Sequence, residues 1–322
     1  MSLRPDWRFP VFALLLALAA GAWAQAFPGG PVTVIVPLAP GDAADVASRS
    51  MGEEMVKQLG VPVLVVNRPG AGGVVGAAAV AQARKDGQTI LFAQNSAITF
   101  RPALEPQAVS YDAQKDLVPL GITSRTPSVL VVRSDAPYRS LAELVEFARK
   151  NPGQVRVGHP GAGSVGEFCI QLINVLTGAG LVPVPHTGAA PAVLALRGGH
   201  IEGVVLALGA LGPHIKSGAL RGLATSNRVP EYADIPTLKE LGHREELFGV
   251  WFSYLAPAGT PEEARKALSA AIEQAVKSPA IAAKLAPLGI LQAWGTPEQQ
   301  AAEMREEFRR VLEIAKKAGL AK

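Results

Sequence analysis

Two short segments of this chain combine residue types that bind anions. In the first, the apolar run Val32-Thr-Val-Ile-Val36 leads through Pro37-Leu-Ala to Pro40-Gly41-Asp42-Ala43-Ala-Asp45, a turn of small residues that opens directly into a helical pattern. The first N–H groups of a helix lack intrahelical partners and lie at the positive end of its macrodipole, so such a turn is a socket for an anion. The second segment, Gly161-Ala162-Gly163-Ser164-Val-Gly166, lies between a strand pattern and a helix pattern and adds the Ser164 hydroxyl to the same arrangement. It matches G-x-G-x-x-G, but a dinucleotide site also needs an acid about 20 residues further on for the ribose, and no Asp or Glu stands between Glu167 and Glu202. The glycines therefore serve either close approach of backbone N–H groups to a small anion or a tight turn that only packs helix on strand. At a third glycine cluster, Arg68-Pro-Gly-Ala-Gly-Gly73, the packing reading is the stronger one.

Other chemistry is thinly represented. Phosphate-loop and G-x-S-x-G nucleophile motifs are missing, and the five histidines (His159, His186, His200, His214, His243) show no metal-ligand spacing. His159 and His186 each follow a strand pattern, which places them either facing the site or supporting it from outside. Cys169 has no partner for an internal disulfide and sits in a helix-like apolar stretch, where a buried small hydrophobe is expected. Trp251 and Trp294 read as packing residues, and the alternating charges of Glu303 to Lys317 as a solvated helix face.

The amino terminus sets the compartment. Arg4 and Arg8 precede the apolar run Val11 to Ala22, and Ala22-Trp-Ala24 has the small residues a secretory peptidase reads, so residues 1–24 are expected to be a signal peptide cleaved after Ala24. A dozen or so apolar residues at about 1.5 Å each are too few to span hydrocarbon about 30 Å thick. Loss of Arg4, Arg8 and Asp6 lowers the net charge from +4 to +3. With its basic residues scattered, the chain is not expected to bind nucleic acid, while a small anionic ligand is allowed.

The elements that must position these turns alternate between strand and helix. Val32 to Pro37, Ala43 to Leu59, Val63 to Val66, Gly73 to Ala83 and Thr89 to Ala93 read as βαβαβ, hence a mostly parallel sheet. Val118 to Val132, broken by Arg125-Thr-Pro127, is longer than one strand needs and reads as a crossing into a second α/β unit. That unit holds a helix capped by Ser140, strands at Val155 to Val157, Val182 to Val184, Ile201 to Leu206 and Leu220 to Ala224, and the intervening helices. Val250 to Leu255 carries the chain back. Thr260-Pro, Ser278-Pro and Thr296-Pro then each start a helix, with no strand between them. The expected division is residues 26–123 plus 249–322 in one lobe and 124–248 in the other, joined by a two-strand hinge.

The motifs in order carry a family resemblance. Pro37-Leu-Ala-Pro-Gly-x-Ala-Ala-Asp45, Val66-Asn-Arg-Pro-Gly-Ala-Gly-Gly73, Lys85-Asp-Gly-Gln-Thr-Ile-Leu91, Gly198-Gly-His-Ile-Glu202, Pro213-His-Ile-Lys-Ser-Gly and Ala256-Pro-Ala-Gly-Thr-Pro261 resemble the Bug (Bordetella uptake gene) or TctC family, the periplasmic solute receptors of tripartite tricarboxylate transporters. The resemblance implies an α/β, two-lobe type II periplasmic binding protein fold, a Venus flytrap of two mostly parallel sheets with flanking helices. It implies a monomer without catalysis or cofactor, which closes over a small carboxylate in the periplasm and delivers it to a membrane permease. A co-receptor for a sensor kinase is the alternative use of the same cleft, and an exported hydrolase built on His159 and Glu167 is a third.

The implied ligand-binding set is Pro40, Gly41, Asp42, Ala43, Asp45, Ser96, Arg101, Gly161, Ala162, Gly163, Ser164, Glu167, Thr187 and Leu206. Four of these depart from the family's usual residues. Asp42 stands for a glycine, Glu167 for a histidine, Leu206 for an aspartate, and Arg101-Pro102 for Asn-Pro. Pointing inward, Asp42 and Glu167 would each repel an anion by about 1 to 4 kcal/mol at contact. Either they turn away as helix caps, or the ligand is not a simple polyanion. Arg101 is expected to restore the balance as a bidentate carboxylate clamp.

Overall fold

A computed structural model describes residues 27–320; the expected signal peptide lies outside the described residues. The chain folds into two α/β lobes. In the first, β1 (Val32–Val36), α1 (Ala43–Leu59), β2 (Val63–Asn67), α2 (Val74–Ala81) and β3 (Thr89–Gln94) follow the expected order. Strand β1 is buried on both faces and pairs in parallel with β2 and β3, with Val34 opposite Val65 and Ile90. Helix α1 begins at the Asp42 cap and ends where Gly60 takes a left-handed φ of 68° and returns its N–H to Val56 O. Its buried face, Ala47, Met51 and Met55, packs in one core cluster with Val32, Val34 and Phe92.

A π-helical turn, Ser96–Phe100, and a short helix α3 (Arg101–Leu104) follow β3. Strand β4 (Leu117–Thr126) then hands the chain to β5 (Ser128–Arg133) across Pro127. The second lobe contains α4 (Leu141–Lys150), β6 (Arg156–His159), α5 (Val165–Thr177), β7 (Val182–Pro185), α6 (Ala189–Arg197), β8 (Gly203–Ala207), α7 (Leu208–Lys216) and β9 (Leu220–Thr225). Strand β10 (Val250–Pro257) returns to the first lobe, followed by α8 (Glu262–Lys277), α9 (Pro279–Leu285), β11 (Gln292–Gly295) and α10 (Pro297–Ala318).

The sheets are mixed, which refines the expectation of mostly parallel pairing. Their orders are β11-β4-β10-β3-β1-β2 and β7-β6-β8-β5-β9. Parallel pairs occur where crossover helices join neighbours, as in β1 with β2 and β6 with β7. Strands β4 and β10 leave and re-enter the first lobe side by side, so they run antiparallel, with Val250 opposite Thr126. Strand β5 is likewise antiparallel to β8 and β9.

Three details of the carboxyl-terminal region correct the sequence reading. A strand, β11, lies between the last two helices and pairs antiparallel with β4 at the sheet edge. Thr260 does not cap α8; its hydroxyl donates to Pro257 O at 2.7 Å, and Pro261 occupies the cap position. Helix α10, expected wholly in the first lobe, joins both cores: Met304 packs with Ile98 and Trp251, whereas Val311, Ile314 and Ala315 pack in the cluster of Val145, Phe168 and Leu172. The Thr296 capping box does form, with Thr296 Oγ accepting from Gln299 N and Gln299 Oε1 from Thr296 N.

Candidate functional site

The two anion-socket turns turn out to be built alike. In each, a glycine with positive φ (Gly41, 82°; Gly163, 70°) precedes an extended cap residue, Asp42 or Ser164, whose side chain accepts from the first helical turn. Ala44 N donates to Asp42 Oδ1 at 2.9 Å, and Glu167 N donates to Ser164 Oγ at 3.2 Å. Three residues after each cap, an acid reaches back to the glycine: Gly41 N donates to Asp45 Oδ2 at 2.9 Å and Gly163 N to Glu167 Oε2 at 2.6 Å. Left-handed backbone at the glycine aims its N–H along the helix axis, where a carboxylate in the first turn meets it.

These bonds assign roles to the acids. Asp45 is buried and fully occupied: Oδ2 takes Gly41 N, and Oδ1 takes Asn67 Nδ2 at 2.9 Å and pairs with Arg49 Nη2 at 2.9 Å. Burial works against its charge, but the bonds from Arg49, Gly41 and Asn67 outweigh it and hold the carboxyl below its ordinary range. Asp45 is thus a positioning residue rather than a ligand contact, correcting the expectation. Glu167 and Asp42 do cap their helices, yet each keeps one oxygen, Glu167 Oε1 and Asp42 Oδ2, without a hydrogen bond among the described residues. The Asp42 carboxyl is pushed up, first by partial loss of water among the surrounding walls and also by Asp45, with the Ala44 N–H opposing. Pro40, Gly41 and Asp42 are exposed.

Asn67, outside the expected set, ties the first turn down. Its Nδ2 donates to Leu38 O at 3.1 Å and to Asp45 Oδ1, so the end of β2 grips the segment between β1 and α1. Gly73 and Gly76 lie against Pro37, where a Cβ on Gly76 would come within 2.7 Å of the proline ring; the Arg68 to Gly73 cluster serves packing there. One of its glycines also reaches the other lobe. A Cβ on Gly72 would lie 3.3 Å from Ala162 O.

Arg101 spans the same seam. Its Nη1 donates to Ala162 O at 3.0 Å, and its Nη2 pairs with Glu105 Oε2 at 2.9 Å in its own lobe. Both terminal nitrogens are engaged by protein, so the side chain is not deployed as the expected bidentate clamp. Its buried Nε has no partner among the described residues and packs over Gly163. Ser96 is buried in the π-helical turn that delivers Arg101, whose N–H returns to Ser96 O. Phe100, beside it, meets Phe168 and Phe248 edge-on at 5.4 and 5.3 Å, joining the arginine's backbone to the second lobe.

Behind the second turn lies His159, 1% exposed, with Nδ1 2.9 Å from Gly161 O and 3.4 Å from Ser164 Oγ. A carbonyl oxygen only accepts, so Nδ1 carries a proton there. Burial lowers the imidazole's pKa, with Glu167 opposing and His186 adding to the depression. His159 supports the turn from within. His186 packs alongside, its carbonyl 3.6 Å from a Cβ position on Gly161, and the exposed Thr187 follows it. Leu206 does not belong to the site: it is 1% exposed and packs with Val129, Val204 and Leu211 on a face of β8 covered by helices, because strand alternation turns it into the core. Cys169 is buried beside Phe248, and burial pushes its thiol up to about 12.

What the seam gathers is the Ser164 hydroxyl and the Arg101 Nε that has no partner among the described residues, beside the free Glu167 Oε1. No group of metal-binding side chains occurs among the described residues, and no described helix is long and apolar enough to cross a membrane.

Comparison with known proteins gives this arrangement a context. The profile of the family described as "Tripartite tricarboxylate transporter family receptor" matches residues 47–320. Protein BugT of Bordetella pertussis (strain Tohama I) is 33% identical over 312 residues, covering 96% of this chain and 95% of BugT. Among solved structures, R. palustris Rpa4515 with adipate superposes with a TM-score of 0.81 at 28% identity, covering 92% of this chain and 99% of that one. MatC from Rhodopseudomonas palustris with bound malate gives 0.79 at 30% identity, covering 89% and 99%.

Proposed function

The chain belongs to the tripartite tricarboxylate transporter receptor family, and from that premise we propose that it captures a small carboxylate between its lobes in the periplasm and hands it to a membrane permease. The observation that carries the reading is the pair of similarly built helix starts, Gly41-Asp42 and Gly163-Ser164, set in different lobes, with the lobes joined through the Gly72, Arg101 and Ala162 seam. A ligand that touches both lobes binds the closed form more strongly than the open one, and that difference lets a receptor signal occupancy to a partner. Relatives whose solved structures are described with bound malate and with adipate support a carboxylate as the ligand class.

Binding without turnover fits the local chemistry. A hydrolase on this site would need His159 to accept the Ser164 proton, yet the nitrogen facing that hydroxyl is held as a donor by Gly161 O. Ser164 caps its helix, and among the described residues no base faces its hydroxyl.

Calorimetric titration of the mature chain with a panel of carboxylates at low salt tests the proposal. Micromolar-class binding of at least one member is expected, accompanied by a smaller radius of gyration in solution scattering. Heat-silent titrations across the panel, with no carboxylate carried through purification by mass spectrometry, would remove it.

A further inference from the structure

Of the two buried acids among the described residues, Asp45 braces the first turn, whereas Glu307 has no task in the site. Glu307 lies on α10 one turn after Met304 and one turn before Val311, where the helix leaves the core of one lobe and enters that of the other. Its Oε1 accepts from Asn95 Nδ2 at 2.9 Å and Trp251 Nε1 at 3.1 Å, and its Oε2 meets Thr99 Oγ1. The same Asn95 Nδ2 donates to Gly249 O at 3.0 Å, just before β10. A Cβ on Gly249 would lie 3.3 Å from Thr126 O, so Asn95 ties the acid to the place where the two crossings meet. Thr99 belongs to the π-helical turn that delivers Arg101 to Ala162 of the other lobe. One carboxyl thus holds the hinge and the turn behind the seam.

The protons of this cluster distinguish the two forms of the acid. Thr99 Oγ1 lies 3.0 Å from Asn95 O as well as against Glu307 Oε2, and a hydroxyl has one proton to give. When the acid is charged, Thr99 Oγ1 donates to Oε2 and Asn95 O loses the hydroxyl. When it is neutral, Oε2–H donates to Thr99 Oγ1, Thr99 donates to Asn95 O, and Oε1 keeps both N–H bonds. Only the neutral acid fills every contact. No nearby cation is free to offset a charge: Arg125 of β4 pairs with Glu303, Arg310 with Glu245 and Arg101 of α3 with Glu105, while α5 contributes the Cys169 thiol. Burial, the leading cause, raises the carboxyl to about 7.

We propose that Glu307 is a positioning residue for ligand capture: neutral, it completes the cluster that holds the hinge and the π-helical turn with the lobes in contact; ionised, it loosens them, so that carboxylate binding takes up a proton. A swing of either lobe slides side chains at the junction of the two cores and lets water reach the carboxyl, which then ionises more readily. By reciprocity, loss of the proton favours separated lobes. The link to ligand rests on the receptor reading above, and the link to lobe contact stands without it.

The test compares the unmodified mature chain with Glu307→Gln, whose amide donates to Thr99 Oγ1 and accepts from Asn95 and Trp251 as the neutral acid does. Calorimetry with malate and adipate from about pH 6 to 8.5 reads affinity and, through buffers of different ionisation enthalpy, proton uptake. Spin labels at the far ends of the lobes read their separation in the ligand-free chains. Over that range the unmodified chain is expected to lose about tenfold in affinity relative to the variant, to take up a proton on binding near pH 7, and to lengthen its label distance as pH rises. The variant's label distance should hold constant. Parallel affinity curves, binding by the unmodified chain without proton uptake, or label distances that ignore pH overturn this inference and leave the receptor reading intact. If malate, adipate and the wider panel all fail to bind, the receptor reading falls, and the label distances alone decide for or against Glu307.

Discussion

Arg101 Nη1 donates to Ala162 O at 3.0 Å, so a side chain of one lobe is bonded to the glycine turn of the other. The same guanidinium is held from behind by Glu105 Oε2 at 2.9 Å. A charged donor on a neutral carbonyl contributes roughly 1.5 to 3 kcal/mol when little water intervenes, and here it contributes only while the lobes are in contact.

Replacing Arg101 with alanine should therefore favour the open form and weaken ligand binding by about tenfold or more. Calorimetry reads the affinity, and scattering of the ligand-free protein should show a larger radius of gyration than the parent. Equal affinities in the two proteins would take Arg101 out of the closing contact.

Ser164 caps α5, and its proposed contact with ligand can be separated from that role. Ser164→Ala removes both the helix cap and the cleft hydroxyl, and is expected to cost about 1 kcal/mol of stability along with ligand affinity. Ser164→Gly keeps most of the capping preference, so its melting temperature should stay close to the parent's while its affinity falls as far as alanine's. A glycine variant with parental affinity would leave Ser164 only its structural duty.

Gly209 at the start of α7 lies against Gly289. A Cβ on Gly209 would come within 2.4 Å of Leu288 O and 2.7 Å of Gly289 Cα. Gly209→Ala should hold the lobes apart there and reduce ligand affinity about tenfold. The readout is calorimetry together with the distance between spin labels placed on the two lobes; closure to the parental distance on ligand addition would contradict the expectation.

Glu307 of α10 is buried with Asn95 Nδ2 at 2.9 Å, Trp251 Nε1 at 3.1 Å and Thr99 Oγ1 donating to it. Burial raises its carboxyl to about 7, against the opposing effect of the Thr99, Asn95 and Trp251 bonds and with a further rise from Glu303. An acid whose folded pKa is raised binds its proton more tightly in the folded chain. Its stabilising contribution is thus complete below the ordinary glutamate range and is lost as pH rises toward about 7. Denaturant titrations from pH 5 to 8 should show a decline of up to about 3 kcal/mol attributable to this group. Glu307→Gln, which mimics the protonated acid, should flatten that part of the curve; parallel curves would locate the pH dependence elsewhere.

What the sequence made legible were the places where one residue's local chemistry decides the outcome. Helix α1 begins and ends at its expected residues because Asp42 caps it and Gly60 closes it in left-handed backbone. The Gly163-Ser164 turn was readable for the same reason. Thr260 misled because its hydroxyl found Pro257 O, a partner in the preceding turn that competes with capping. Strand β11 carries only Gln292 to Gly295 and pairs at an edge, too short for alternation to register. Leu206 was misplaced by analogy alone; the alternation of β8 assigns it to the core. The Arg101 contact depends on how one lobe sits on the other, and no spacing along the chain encodes that distance.

Helix α10 belongs to two cores at once, through Met304 in one and Val311, Ile314 and Ala315 in the other. At about 1.5 Å per residue its 22 residues form a rod some 33 Å long. A rod packed into two bodies couples their relative orientation to its own packing. Any swing of one body against the other has to slide side chains past each other in one of the cores. The lobes are therefore expected to move least beside this helix, so a spin label pair straddling Phe308 should keep its separation on ligand addition while labels at the far ends of the lobes approach.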